Sequence, residues 1–337
     1  MALTIGGVQK RIGLALSGGG FRAAAFHLGV MRKLAALGIL DHVDLLTCVS
    51  GGSIAGGAVA RHWSDAGKLD VLDQYLRTRS IAASSVIGGV LDPFASRIDK
   101  LAGSYDRDLF QGATLDNLAG GPRIYFNATN LATGNLFFFV AGGGKPAEMG
   151  EHELGVVPAP AFPVCRAVAA SSAFPPVFPP LRLDATTYAH AAAVEYVTLT
   201  DGGVYDNMGI NPLVRTRNAL DYVIVSDGGK PFALDERPTE SGAIVLKAAL
   251  DIMMEQIRGL EFDRLQHRHA AQSGPRPLWF SIDSKEGEAQ PGDAAFASAI
   301  ATNLARLPAD EMDVLTRHGG ALVEARIRRY APELLVP

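Results

Sequence analysis

Two serines three positions apart, Ser50 and Ser53, stand among glycines in the stretch TCVSGGSIAGG, residues 47–57. An apolar run leads in and a small-residue run leads out, which is the pattern of a strand, a tight turn and a helix. Such a turn can push one hydroxyl into the open as a nucleophile. The consensus G-x-S-x-G asks for small residues two before and two after the serine, because strand and helix pass close together there. Around Ser50 these positions are Cys48 and Gly52, and around Ser53 they are Gly51 and Ala55. Spacing does not choose between them, but strand position does. The predicted strand 45–49 ends directly at Ser50, whereas Ser53 falls where the predicted helix 53–63 begins and would serve as its N-cap.

A serine nucleophile also needs donors for a developing oxyanion and a proton acceptor. The run SGGGFR, residues 17–22, lies between a predicted strand, 12–16, and a predicted helix, 21–37, that stops at Gly38. Free backbone N–H groups and the helix dipole make such a loop a natural anion site. Gly18, Gly20 and Ala23 also spell G-x-G-x-x-A, but the acid that a dinucleotide site needs at the end of the second strand stands at its start, as Asp41 or Asp44. An oxyanion hole fits better, with a plain tight turn as the bland reading.

For the acceptor, Asp201-Gly202-Gly203 follows a predicted strand, 196–200, and Asp227-Gly228-Gly229 follows another, 222–226, in nearly the same context. The longer polar segment VYDNMGINP leans toward Asp201 and leaves Asp227 as a competitor. None of the eight histidines sits where a strand ends before a loop, the usual place of a triad histidine. A dyad with aspartate as direct base is the alternative. With an ordinary pKa of about 3.9, an aspartate can do this only in a shielded site with a well-held oxyanion.

The elements that must position these residues alternate strand and helix at both ends of the chain, which predicts a parallel sheet with right-handed crossovers. Between them the pattern gives a helix at 68–79, an apolar Gly-interrupted stretch at 81–95, strands at 123–129 and 135–140 around Thr133-Gly134, and a helix at 164–172 stopped by Pro175. Beyond lie expected helices at 211–219 and 242–271, a strand at 278–282 and a helical remainder. No linker is visible in 337 residues, so one domain over 1–337 is expected, with 64–163 as an irregular insertion or cap.

A net charge of −4 leaves no nucleic-acid footprint, and two cysteines, Cys48 and Cys165, make no disulfide framework. The first residues lack the features of a signal peptide, and the longest charge-free run, 124–144, contains three asparagines and is a poor membrane span. A cytoplasmic protein is expected, with peripheral membrane contact weighed for 81–94 and for 137–139, the latter reading better as core. No ligand cluster for a metal is spaced along the chain, and no cofactor is expected.

The ordered set of glycine loop, serine elbow and Asp-Gly-Gly resembles the patatin-like phospholipase family over roughly 12–226. The resemblance implies a three-layer α/β/α fold with a mostly parallel central sheet. It also implies hydrolysis of lipid carboxylic esters, as a phospholipase A, lysophospholipase or esterase, by a Ser–Asp dyad without histidine. Ser50 matches the nucleophile and Asp201 the dyad aspartate. Gly18, Gly19 and Gly20 match the oxyanion loop, with Gly51 as a further donor. Arg22 matches the arginine that follows, as a loop brace or a contact to substrate phosphate. ASSAFPPVFPP, residues 170–180, is similar to the family's Ala-Ser-x-Ala-x-Pro stretch, and Asn127 with Thr129 to its Asn-x-Thr strand. Ser17, Ala23 and Cys48 depart from the family's usual Asp, Gly and Gly. Two other readings stay open: an α/β-hydrolase esterase with a Ser-His-Asp triad drawing on His267, His269 or His318, and a non-enzymatic nucleotide- or phospholipid-binding module built on the glycine loop.

Overall fold

The computed structural model describes residues 3–81, 94–190, 194–232 and 241–335. A short hairpin, β1 (Leu3–Ile5) and β2 (Val8–Lys10), precedes a ten-stranded sheet. The parallel half of that sheet is made of β3 (Ile12–Leu16), β4 (Val43–Cys48), β5 (Arg123–Asn130), β11 (Tyr222–Asp227) and β12 (Arg276–Ser281), in the spatial order β12-β11-β3-β4-β5. Near-continuous apolar runs such as IGLAL and YVIVSD suit strands covered on both faces.

The other half is antiparallel. Beside β5 lie β6 (Leu136–Ala141), β7 (Glu148–Glu151) and β8 (Gly155–Pro158), so residues 123–158, inside the stretch expected as an irregular insertion, are strands of this same sheet. β9 (Leu181–Asp184) pairs with β10 (Tyr196–Asp201), and β10 pairs antiparallel with the far end of β5, Ala128 opposite Asp201. β6 already occupies one edge of β5 as far as Thr129, so β10 lies on the β4 side and meets β4 end to end. The sheet is therefore mixed, and the strand before Asp201 runs opposite to the parallel ones expected.

Side-chain alternation divides the strands between two cores. Leu14, Leu16, Leu46, Cys48, Phe126 and Ile224 face one layer, which includes α1 (Gly20–Ala36), α2 (Gly51–Arg61), α3 (Lys68–Thr78), α4 (Phe94–Tyr105), α5 (Val164–Ser171) and, after α8 (Asp293–Ala299), the C-terminal α9 (Ala309–Tyr330). Ala15, Leu45, Tyr125, Val223 and Val225 face the other, where residues 208–214 and Leu265 of α7 (Gly242–Ala270) cover them. The result is three layers with the sheet in the middle. Phe137, Phe138 and Phe139 are buried in this sheet, as the core reading had it, and most of the apolar stretch 81–94 lies outside the described residues. Among the described residues no helix is long and apolar enough to cross a membrane.

The helix expected at 211–219 is not formed; only a 3-10 turn appears at Thr216–Asn218. One turn closes instead, the Ile210 carbonyl accepting the N–H groups of Leu213 (2.9 Å) and Val214 (3.2 Å). The buried carboxylate of Asp206 accepts the backbone N–H groups of Gly209 (2.9 Å) and Asn211 (2.8 Å), which folds the chain into turns. A short helix, α6 (Gly203–Asp206), precedes them.

The glycines of α2 let it lie against the sheet. Cys48, the odd residue of the elbow, is fully buried, and its Sγ fills the space above Gly56, where a Cβ would collide with it. The sulfur thus occupies volume that a glycine at 48 would leave to a side chain at 56. Gly56→Ala should lower stability in urea unfolding by about 1–3 kcal/mol, the usual cost of overpacking a core, and adding Cys48→Ala should recover most of it. Equal losses in the single and double variants would place the strain elsewhere.

Candidate active site

The elbow forms because β4 runs straight into α2. Only Val49 and Ser50 lie between them, and Ser50 takes φ 49° and ψ −113°, a conformation that costs a side-chain-bearing residue about 1–3 kcal/mol. Hydrogen bonds hold it there. The Ser50 N–H donates to both the carbonyl and the Oγ of Ser171, each at 3.1 Å, and the Gly52 N–H donates to the Ser17 carbonyl at 3.0 Å. Gly51 and Gly52 must be glycines, since a Cβ on either would run into the backbone of Gly20 or Leu16. The Ser50 side chain caps nothing and is partly exposed. Ser53 is not the N-cap: the helix begins two residues earlier than the pattern suggested. Its buried hydroxyl instead meets Ser171 Oγ at 2.7 Å.

Asp201 ends β10 and is almost fully buried. Its N–H donates to the Ala173 carbonyl (3.1 Å), and its own carbonyl accepts from Thr129 Oγ1 (2.8 Å). Oδ1 accepts the Gly203 N–H at 2.7 Å, while Oδ2 has no partner in strict hydrogen-bond geometry. Burial pushes the carboxyl up to about 7, against the opposing pull of the Gly203 N–H and of the neighbouring Ser50 hydroxyl. The structure thus brings Ser50 and Asp201 together. Asp227 is engaged otherwise: Oδ1 accepts the Gly229 N–H at 3.1 Å, and Oδ2 pairs with Arg258 Nε of α7 at 2.5 Å.

The glycine loop packs between the elbow and the Asp227 turn. Gly19 and Gly20 adopt φ 138° and 63°, values open to glycine. The Gly18 N–H donates to the Asn207 carbonyl at 3.0 Å, so it is already used. The N–H groups of Gly19, Gly20 and Gly51 meet no protein acceptor among the described residues. Ser17 substitutes for an acid by bracing: its Oγ accepts the Gly228 N–H (2.8 Å) and donates to the Gly18 carbonyl (3.1 Å). Arg22 is fully buried and donates to the carbonyls of Ile300 (2.9 Å) and Gly228 (3.0 Å), bonds that tie the loop to its neighbours. Burial lowers its pKa to about 10, opposed by the charge of Asp227.

Beneath the loop, His27 is buried with Nε2 2.9 Å from the Ser17 carbonyl and Nδ1 2.8 Å from Ser226 Oγ. A carbonyl only accepts, so Nε2 carries the proton and Nδ1 accepts from the serine. Burial, with weaker opposition from the Ser17 bond, drives this ring down to about 4 and keeps it neutral. His318 is buried against the Ile282 carbonyl, His267 is exposed and bonded to the Asp263 carbonyl of its own helix, and His269 lines a cleft with Arg276 and Trp279. None of these three pairs with Ser50 or Asp201. Among the described residues no group of three or more His, Cys, Asp or Glu is arranged to hold a metal ion.

Three contributors escaped the sequence reading. Ser171 was visible only as part of the Ala-Ser stretch. Asn207 touches the loop with its side chain as well as its carbonyl, crowding the Cα of Gly18 and Gly203. Tyr105 is buried with its hydroxyl 3.1 Å from Ser172 Oγ, and burial and the nearby charge of Asp201 both push its phenol up.

A family model described as patatin-like phospholipase matches residues 14–214. No curated protein matches the chain. The solved structure of human GIVD cytosolic phospholipase A2 superposes with a TM-score of 0.59 at 14% identity, covering 96% of this chain and 62% of that one. The same human protein in complex with methyl gamma-linolenyl fluorophosphonate gives 0.55 at 14% identity, covering 96% and 58%. The chain thus spans about six tenths of these structures, and at that identity the likeness is one of fold.

A buried carboxyl whose folded pKa lies above its unfolded value binds more protons in the folded state, so its anion weakens the fold as pH rises toward and past 7. Asp201→Asn removes that anion. Its melting temperature should therefore exceed wild type by more at pH 8 than at pH 5, read by calorimetry at the two pH values. An equal gain at both would mean that Asp201 carries no buried charge.

Proposed function

The chain belongs to the patatin-like phospholipase family, and on that premise we propose that it is a serine acyl hydrolase of lipid carboxylic esters working through a Ser50–Asp201 dyad. The observation that carries this reading is the pairing of a strained, uncapped Ser50 with a buried Asp201 whose Oδ2 lacks a partner and whose pKa stands near 7. A general base is most useful when its pKa lies near the working pH, and burial gives this aspartate what its type lacks.

In the reaction, Ser50 Oγ attacks the ester carbonyl carbon as its proton passes to Asp201. The carbonyl oxygen takes up the negative charge and accepts from the free N–H groups of Gly19, Gly20 and Gly51. Removal of one such donor typically costs about 3–4 kcal/mol of transition-state stabilisation. Collapse of the tetrahedral species breaks the bond to the leaving alcohol, which departs with the proton from Asp201. Water then attacks the acyl-Ser50 carbonyl, gives its proton to Asp201, and the second collapse frees the acid and returns the proton to Ser50. Gly18 and Arg22 hold the loop in shape and take no part in these transfers. The same steps serve a phospholipase A, lysophospholipase or esterase substrate equally well.

Fluorophosphonate labelling tests the nucleophile directly. Ser50→Ala should lose labelling and turnover, while Ser53→Ala keeps both. Labelling that survives Ser50→Ala would overturn the assignment. Because the base works as its anion, kcat/KM on a short-chain ester should climb with pH and reach half its plateau near 7, and Asp201→Asn should lower it about 10²–10⁴-fold. A flat profile from pH 5 to pH 9 would remove Asp201 as the base.

A further inference from the structure

A cleft of about 590 Å³, the size of a small-molecule site, lies at the far end of the sheet from Ser50. β12 is the outermost strand on its side, so no further strand fills the space beside it. The last turns of α7, from Phe262 to His269, form one wall, and Arg326 and Tyr330 at the end of α9 form another, with Arg276 and Trp279 of β12 between them. Arg276 opens β12 opposite Tyr222, where β11 begins, whereas Ser50 follows the C-terminal end of β4, parallel to both. The internal stretches outside the described residues, 82–93 and 233–240, adjoin the remote ends of the same two helices. Ser241, which follows 233–240, is the N-cap of α7, about 30 Å along the helix from Phe262. Ile81, which precedes 82–93, donates to the Leu304 carbonyl just ahead of α9, and from Ala309 to Arg326 that helix runs about 26 Å.

The lining offers donors and, among the described residues, no Asp or Glu. Two of the donors are orphans: Arg326 Nε and Trp279 Nε1 are buried and meet no acceptor among the described residues. A buried donor left in this way costs stability until something accepts from it. Charge points to an anion as that acceptor. Arg276 pairs with Glu333 (2.8 Å), while Arg326 and Arg329 share one carboxylate, Glu286, which stands 3.5 Å from Arg326 Nη1. Three guanidinium groups thus face two carboxylates. The carbonyls at the two helix ends, which would repel an anion, are taken. Those of His267, Arg268 and His269 accept the N–H groups of Ala271, Ser273 and Gln272, and that of Tyr330 accepts from Arg276.

The rings set the body of the ligand. Phe262 and Trp279 meet with centroids 4.7 Å apart, and Tyr330 lines the same cleft. Flat faces beside guanidinium groups suit a planar ring that carries an oxyanion. A long acyl chain finds no continuous apolar track, because Gln266, His269, Arg276 and Arg326 interrupt the walls. We propose that this cleft binds a compact aromatic anion, a planar ring bearing a carboxylate or a phosphate. Its oxyanion accepts from Arg326 and the Trp279 N–H, and its ring lies on the aromatic wall. The site is separate from Ser50 and Asp201 and stands whether or not the lipid-ester reading does.

Calorimetric titration with 2-naphthoate, and separately with AMP, tests the site, with 2-naphthamide and adenosine as the uncharged counterparts. At least one anion should bind, about tenfold or more tighter than its neutral counterpart. Binding of naphthoate alone identifies a carboxylate ligand, binding of AMP alone a phosphate ligand, and binding of both the shared chemistry. Arg326→Gln should weaken that binding about tenfold to a hundredfold, the usual worth of a hydrogen bond to a charged group. Trp279→Phe keeps a ring and removes the N–H, so it should weaken binding as well, and it carries the test should Arg326→Gln not fold. In Trp63→Phe the only indole left is that of Trp279, and its emission should change as the anion binds. The proposal is overturned if neither anion binds at millimolar concentration, or if the neutral counterparts bind equally well. Unchanged affinity in the folded variants, or Trp279 emission that ignores the ligand, would overturn it too.

Discussion

One carbonyl oxygen holds the two halves of the site in register. The Ser171 carbonyl, at the end of α5, accepts the N–H of Ser50 at 3.1 Å and the N–H of Gly202 at 3.3 Å. The first bond comes from the elbow after β4 and the second from the turn after β10. Two residues on, the Ala173 carbonyl accepts the Asp201 N–H and, at 2.9 Å, Thr200 Oγ1. The last turn of a helix leaves its carbonyls without intrahelical partners, so they are available for this. Here they clamp a strained serine turn to the aspartate turn. The small residues of the Ala-Ser-Ser-Ala stretch let both turns approach that closely.

In the proposed dyad the same clamp lets a carboxylate stand where a histidine usually does. A solvated aspartate is too weak a base for a hydroxyl, and burial is the remedy. Burial also shields the carboxylate from water, leaving its anion compensated only by the Gly203 N–H and the neighbouring Ser50 hydroxyl. Such a group weakens the fold that contains it, so its surroundings must be over-determined elsewhere. Thr129 Oγ1, the Gly203 N–H and the Ala173 carbonyl supply that restraint. The neutral His27 does the corresponding service below the glycine loop, where a charged ring would be costly.

The parallel half of the fold was legible because its strands are short apolar runs punctuated by glycine, and strand position alone separated Ser50 from Ser53. Of the antiparallel half only the β5–β6 pair around Thr133-Gly134 was legible, since β7, β8 and β10 carry no signal of which neighbour each will choose. The direction of β10 is a tertiary fact with no local signature. The expected helix at 211–219 closes a single turn, with the Ile210 carbonyl accepting the N–H groups of Leu213 (2.9 Å) and Val214 (3.2 Å), and no local signal in the sequence marks that stop. Asp201 and Asp227 looked alike in sequence, and only Arg258, distant in the chain, distinguishes them. Cys48 looked like a flaw in the elbow until Gly56 supplied its complement.

The end-to-end meeting of β4 and β10 on one strand has a consequence for what the chain tolerates. Phe126 of β5 sits opposite Cys48, and Ala128 sits opposite Asp201, so a single strand gauges the separation between the Ser50 elbow and the Asp201 turn. Residues 131–195 connect β5 to β10, but their length does not enter that gauge. The connection can be lengthened or trimmed wherever Ser171 and Ala173 keep their carbonyls in place, while one residue inserted into β5 between Phe126 and Ala128 would shift Asp201 relative to Ser50 at a stroke.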